Sequence, residues 1–160
     1  MRLNLLIPLT LATFMLACND DKSPTASASG KDAILIGAKW KMTAHTITPA
    51  VDYDGNGTLV TNLFAVEHGC GHDDIDSYTS DHKFSFDEGP TKCDASDPQK
   101  ETGTWSFNSA GDSLTIDSDL DPVPMKLKVV EVSATKLVLS SSDDSWGDGV
   151  HTEVLTFSAQ

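Results

Sequence analysis

The stretch "WKMTAHTI", residues 40 to 47, sets Trp40, Met42 and Ala44 on one side of an extended chain and Lys41, Thr43 and His45 on the other. Apolar residues at every second position mark a half-buried antiparallel strand, whereas a helix would space them three and four apart. The same period returns in "KFSFD" (Phe84, Phe86), "TWSF" (Trp105, Phe107), "SLTID" (Leu114, Ile116) and "MKLKV" (Met125, Leu127, Val129). It returns again in "KLVLS" (Leu137, Leu139) and "EVLTFSA" (Leu155, Phe157). Short separators rich in turn formers stand between these runs: "NSAGD" at 108–112, "SATK" at 133–136 and "DDSWGDG" at 143–149. With "DSYTS" taken as the partner of "DHKFSFD", the spacing predicts about eight strands in hairpin succession. In "VVEV" the alternation slips by one residue, which predicts a bulge near Val130. Only "DAILIG" and "TNLFAVEH" (61–68) have helical character, and both are short.

A meander of about eight strands with one apolar face closes into a barrel, because closure removes the two unpaired edges. The expected fold is therefore all-β, an antiparallel up-and-down barrel with one or two short helices. A lumen of that size is filled by side chains or holds one small ligand. The inward set Trp40, Met42, Phe84, Phe86, Trp105, Phe107 and Phe157 accordingly either walls a pocket for a small hydrophobic molecule or packs a solid core. Trp146, in the turn "SWGDG", is placed at the barrel mouth or across its rim.

The beginning of the chain belongs to no fold. Arg2 is followed by an apolar run from Leu5 to Leu16, too short to span a bilayer permanently, and residues 1–17 read as a secretory signal. The run ends in Met15-Leu16-Ala17-Cys18, which resembles the lipobox of bacterial lipoproteins. That resemblance implies cleavage before Cys18 and acylation of its thiol and new amino group. At about 0.8 kcal/mol per buried methylene, several acyl chains would anchor the protein to a membrane. Residues 18–32, "CNDDKSPTASASGKD", lack large apolar side chains and read as a flexible tether. Asp20-Asp21 resembles the signal that sends some such lipoproteins to the outer face of the outer membrane; the alternative is a merely soluble linker. The expected location is the outer membrane, facing periplasm or cell surface.

Residues 33–160 supply one domain with length enough for a core. They resemble the lipocalin-like domain family of bacterial lipoproteins through a series of landmarks: "GAKWKMT", "CGHDD", "FSFDEGPTKCD" and "GTWSF". The resemblance implies a lipocalin-like barrel and a non-catalytic, ligand-binding role in the envelope. The alternative is a structural or protein-interaction module with a filled barrel. Past the signal, ten lysines face 24 carboxylates, a formal −14, so nucleic acid is not an expected partner. No protein partner can be named from the residues. Cys70 and Cys93, an even pair in an exported chain, are expected to form a disulfide worth roughly 3 kcal/mol in the chain-entropy model.

Two stretches could carry metal chemistry. In "DYDGNGTLVTNL" (52–63), Asp52, Asp54, Asn56 and Thr58 fall at calcium-loop spacing with glycine at the sixth position. The twelfth position, however, is Leu63, where a bidentate glutamate is needed, and the flanks are not helical. Glu67 is the available substitute. Asp-Gly and Asn-Gly are also strong turn signals, so the loop reads as a turn, with calcium as the alternative cofactor. "HGCGHDD" gathers His68, Cys70, His72 and two aspartates, a zinc-compatible set in competition with the disulfide. No nucleophile elbow and no phosphate-cradling loop appears, and an enzyme is not expected.

Overall fold

The structure, a computed structural model, describes residues 30–67 and 69–160. The segment read as a signal, Cys18, the stretch read as a tether up to Ser29, and His68 lie outside the described residues.

Period-two patterning becomes strands throughout. A short helix, α1 (Gly30–Ile36), is followed by β1 (Lys39–Val51), β2 (Val60–Asn62), a 3-10 turn (Gly69–Asp73), β3 (Ile75–Tyr78) and β4 (Lys83–Asp87). Next come β5 (Lys100–Phe107), β6 (Ser113–Ser118), β7 (Met125–Val132), β8 (Lys136–Asp143) and β9 (His151–Ala159). From β3 to β9 each strand pairs antiparallel with the next, and β9 returns to pair with β1, which also meets β3. Eight strands thus close an up-and-down barrel of the expected lipocalin-like form, with every interior strand edge satisfied. The helix begins at Gly30, inside the stretch read as tether.

Two local expectations are corrected. "TNLFAVEH" is not a helix: Thr61 and Asn62 belong to β2, and Leu63 to Glu67 make a turn closed by the amides of Val66 and Glu67 on the Leu63 carbonyl. The apolar side chain of Leu63 is drawn into a small separate cluster with Ile47 and Val51, and that tertiary burial outweighs helical propensity in so short a run. The second correction concerns the faces of β1. Met42 pairs with Phe157 and Ala44 with Thr156, leaving Thr43 as an extra residue. Such a bulge reverses the alternation beyond it, so His45 stands opposite Leu155 on the barrel's inner side and Ala44 moves outward. The bulge expected near Val130 is present as a register shift between Val129 and Glu131. Pro49, with no N–H to donate, falls in the interval between Thr46 and Val51 where the β1–β2 register also shifts.

The main core fills the end of the barrel nearest α1. Leu35, Trp40, Leu114, Leu137 and Leu139 are fully enclosed there. Burial of an aliphatic side chain of this kind contributes about 1.5–3 kcal/mol. Helix α1 caps that end: Trp40 Nε1 donates to the Leu35 carbonyl at 2.9 Å, and Lys31 Nζ donates to the Gly111 carbonyl at 2.6 Å. Trp105 stands edge-on to Tyr78 and to Phe107, each at 5.7 Å between ring centres, and its Nε1 donates to the Thr79 carbonyl. Offset and edge-on packing of this kind favours the rings beyond the area they bury. The opposite end carries the 52–59, 88–99, 119–124 and 144–150 loops together with the 3-10 turn Gly69–Asp73.

Candidate functional site

At the end of the barrel away from α1 the interior is not filled. A cavity of about 270 Å³ runs inward from Gly71, Asp74, Asp121 and Val123 at the mouth. Its apolar walls include Ile116, Leu127, Leu139 and Leu155. Of the seven residues assigned to ligand contact from the sequence, five line it: Trp40, Met42, Phe84, Phe86 and Phe157. Trp105 and Phe107 do not. Trp105 is enclosed in the packed end, and Phe107 faces a shallow groove between α1 and the turn Asn108–Gly111. Pocket and solid core, posed as alternatives by the alternation pattern, therefore occupy different halves of one barrel.

The polar part of the lining was not anticipated. Asp76 lies on β3 directly across from Phe86 on β4, and Phe86 lies directly across from Glu101 on β5. Residues in register share a face, so the inner wall presents carboxylate, phenyl ring and carboxylate side by side. Ser118 Oγ donates to Glu101 Oε1 from β6. Burial, reinforced by the charges of Asp74 and Glu101, pushes the Asp76 carboxyl from 3.8 up to about 7. Asp74 at the mouth rises to about 6, mainly by burial and then by the neighbouring charge of Glu88, and its Oδ1 is enclosed with no hydrogen-bond partner. Burial and the Asp76 charge push the Tyr78 phenol well above its ordinary value. The signal for these residues was present: the same alternation, extended from Tyr78 back to Asp76 and from Trp105 back to Glu101, aims both acids inward.

The mouth is stapled. Cys70, in the 3-10 turn, and Cys93, in the β4–β5 loop, form a disulfide with Cα atoms 5.1 Å apart. Beside it, Asp73 Oδ2 accepts the Thr91 amide at 3.0 Å. The bridge holds the loop of Gly71 and Asp74 against the neighbouring one. It also removes Cys70 from any zinc set; His72 Nε2 contacts the Phe64 carbonyl and its ring stacks on Phe64 at 3.9 Å.

The 52–58 loop lies apart from the cavity. Asp52 Oδ2 accepts the Gly57 amide, Asp54 accepts the amide and side-chain nitrogen of Asn56, and Asn56 Oδ1 accepts the Thr58 amide. Positive φ at Gly55 and Gly57 completes the turn. Leu63, at the twelfth position, is buried and offers no oxygen, and Glu67 Oε1 is held on His45 Nδ1 at 2.6 Å. Among the described residues, no group of three or more His, Cys, Asp and Glu is arranged to hold a metal ion. His45 Nε2 also contacts Glu153 at 3.1 Å. Trp146 covers this region rather than the cavity, packing on the Ile47, Val51 and Leu63 cluster with Tyr53 at 6.3 Å.

Among solved structures, 82% of this chain aligns with 98% of a DUF4847 family protein from Bacteroides vulgatus, at a TM-score of 0.51 and 11% identity. Apocrustacyanins C2 and C1 align over 77% of this chain and 59% of theirs at 18% identity, with TM-scores of 0.43 and 0.42. At these identities the first likeness speaks for the fold alone, and the other two carry no argument. No family model and no curated protein matches the sequence.

Proposed function

We propose that this protein is a non-catalytic binding protein of the bacterial envelope that takes a small, largely apolar ligand into the open half of its barrel. The observation that carries this reading is the 270 Å³ cavity walled by Trp40, Met42, Phe84, Phe86 and Phe157. Binding sites of this kind are concave, mostly apolar and supplied with a few converging polar groups. A filled interaction module would pack this half as tightly as the α1 half, and proteins keep empty apolar space of this size sparingly. Anchorage through acylated Cys18 and a tether ending before α1 would hold the mouth clear of the lipid surface.

The test is uptake of a neutral fluorescent naphthalene by the full chain, read through loss of Trp40 emission. Trp40 lines the cavity while Trp105 and Trp146 do not, so Trp40→Phe should abolish the quenching signal. Filling the space with Leu155→Trp should abolish uptake while far-ultraviolet circular dichroism stays that of the wild type. Absence of uptake by the folded wild-type chain would remove the proposal.

A further inference from the structure

The cavity is lined by four acidic residues, Asp74, Asp76, Glu101 and Asp121, and by no lysine, arginine or histidine. Asp121 is on the exposed lip; Asp76 and Glu101 stand within the barrel at inward positions. Inward carboxylates on an apolar wall are costly to ionise unless a positive group meets them. The protein provides little to meet them. Ser118 serves one oxygen of Glu101. Asp74 Oδ1 is enclosed without a partner, and the Tyr78 hydroxyl, whose hydrogen bond favours ionised Asp76, weighs least among the influences on that carboxyl. Lys100, the lysine beside this wall, points away and pairs with Asp87 Oδ2 at 3.0 Å. His72 is the single group whose charge favours ionised Asp74, and it weighs least among the influences on that carboxyl.

Resting on the binding role proposed above, we infer that the ligand is an amphiphilic monocation, an apolar body carrying one ammonium or guanidinium head. The head sits between Asp76 and Glu101 above the ring of Phe86, and the body lies against Trp40, Met42 and Phe157. Three features converge on a positive head and disfavour a neutral or anionic one. A cation over a phenyl face is attracted by the ring quadrupole. Two flanking carboxylates give it charge-assisted hydrogen bonds. An anion of the same size would instead add to the repulsion that already raises Asp76, whose neighbours Asp74 and Glu101 act against its ionisation.

Binding of such a head requires charged carboxylates, so it competes with protons. The titratable groups around this site are His72 and Asp73 from the 3-10 turn, Asp74 just after it, Asp76 and Tyr78 from β3, Asp87 and Glu88 at the end of β4, Glu101 from β5 and Asp121 from the β6–β7 loop. Asp74 and Asp76, at about 6 and about 7, lose their protons as pH rises through those values, and affinity for a cation rises with them.

Three matched probes test this by calorimetry on the full chain: 2-(1-naphthyl)ethylamine, 2-(1-naphthyl)ethanol and 1-naphthylacetate. At pH 8 the amine should bind roughly tenfold or more tightly than the alcohol, and the acetate most weakly. The amine-to-alcohol ratio should shrink at pH 5, and should fall toward one in Asp76→Asn and in Glu101→Gln. An alcohol or acetate that binds as tightly as the amine to the wild type overturns the inference and leaves the apolar cavity standing. Binding of none of the three removes the cavity reading itself.

Discussion

Asp76 concentrates the chemistry of this barrel in one side chain. Its carboxyl is pushed to about 7 from 3.8 by burial first and by Asp74 and Glu101 next. A carboxyl whose pKa is higher in the folded state than in the unfolded one binds its proton more tightly when folded. Its contribution to stability is therefore complete below pH 3.8 and is lost as pH rises through about 7. The melting temperature should accordingly be higher at pH 5 than at pH 8, and Asp76→Asn should narrow that difference in a thermal scan. An unchanged pH profile in the variant would show that Asp76 is not the group responsible. Trp40 is the second decisive residue, fully enclosed with its indole N–H on the Leu35 carbonyl. Trp40→Ala should cost about 3–5 kcal/mol in denaturant unfolding, whereas Trp40→Phe, which loses the hydrogen bond and some area, should cost less. Neither role was legible from residue type alone. An aspartate in "DIDSY" is ordinary surface composition until its strand is placed on the inside of a closed sheet.

At the scale of elements, paired strands and stapled loops divide the work. The β5–β6 pair beside the cavity depends on close backbone approach: a side chain at Gly103 on β5 would collide with the Asp117 carbonyl of β6. Gly103→Ala should destabilise by about 1–3 kcal/mol or more, as overpacking does, with the loss visible as a lower denaturation midpoint. The open half depends on the bridge between Cys70 and Cys93, which are 23 residues apart. Replacing both by serine should lower stability by about 3 kcal/mol on chain-entropy grounds, and should weaken probe uptake because the loop carrying Gly71 and Asp74 loses its tie to the β4–β5 loop. Strand existence was readable from period-two patterning in seven of the eight barrel strands, β3 being inferred only as the partner of β4, and the slip in "VVEV" marked its bulge. The bulge at Thr43 was not readable, since His45 and Ala44 are both compatible with either face of a strand, and only pairing with β9 decides which turns inward.

For the whole molecule, net charge and cavity charge have the same sign but different consequences. The formal −14 of residues 18–160 is screened by salt where it faces water, while Asp76 and Glu101 act at short range inside a low-dielectric wall. Uptake of a naphthyl amine should therefore persist at high ionic strength, whereas attraction at the exposed Asp121 lip alone would fade. Titration in low and high salt distinguishes the two, and complete loss in high salt would place the cation outside the barrel.

Alternating side chains, turn-forming separators and an even cysteine pair were enough to specify a closed antiparallel barrel and its disulfide, because both follow from local geometry and chemistry along the chain. Which inward residues meet, and which leave space between them, depends on strand register, on the bulge at Thr43 and on the cap supplied by α1. Tertiary structure alone therefore filled the end around Trp105, hollowed the end around Phe86, and set two carboxylates beside that ring, since volume and electrostatic environment are properties of residues distant in sequence brought within contact.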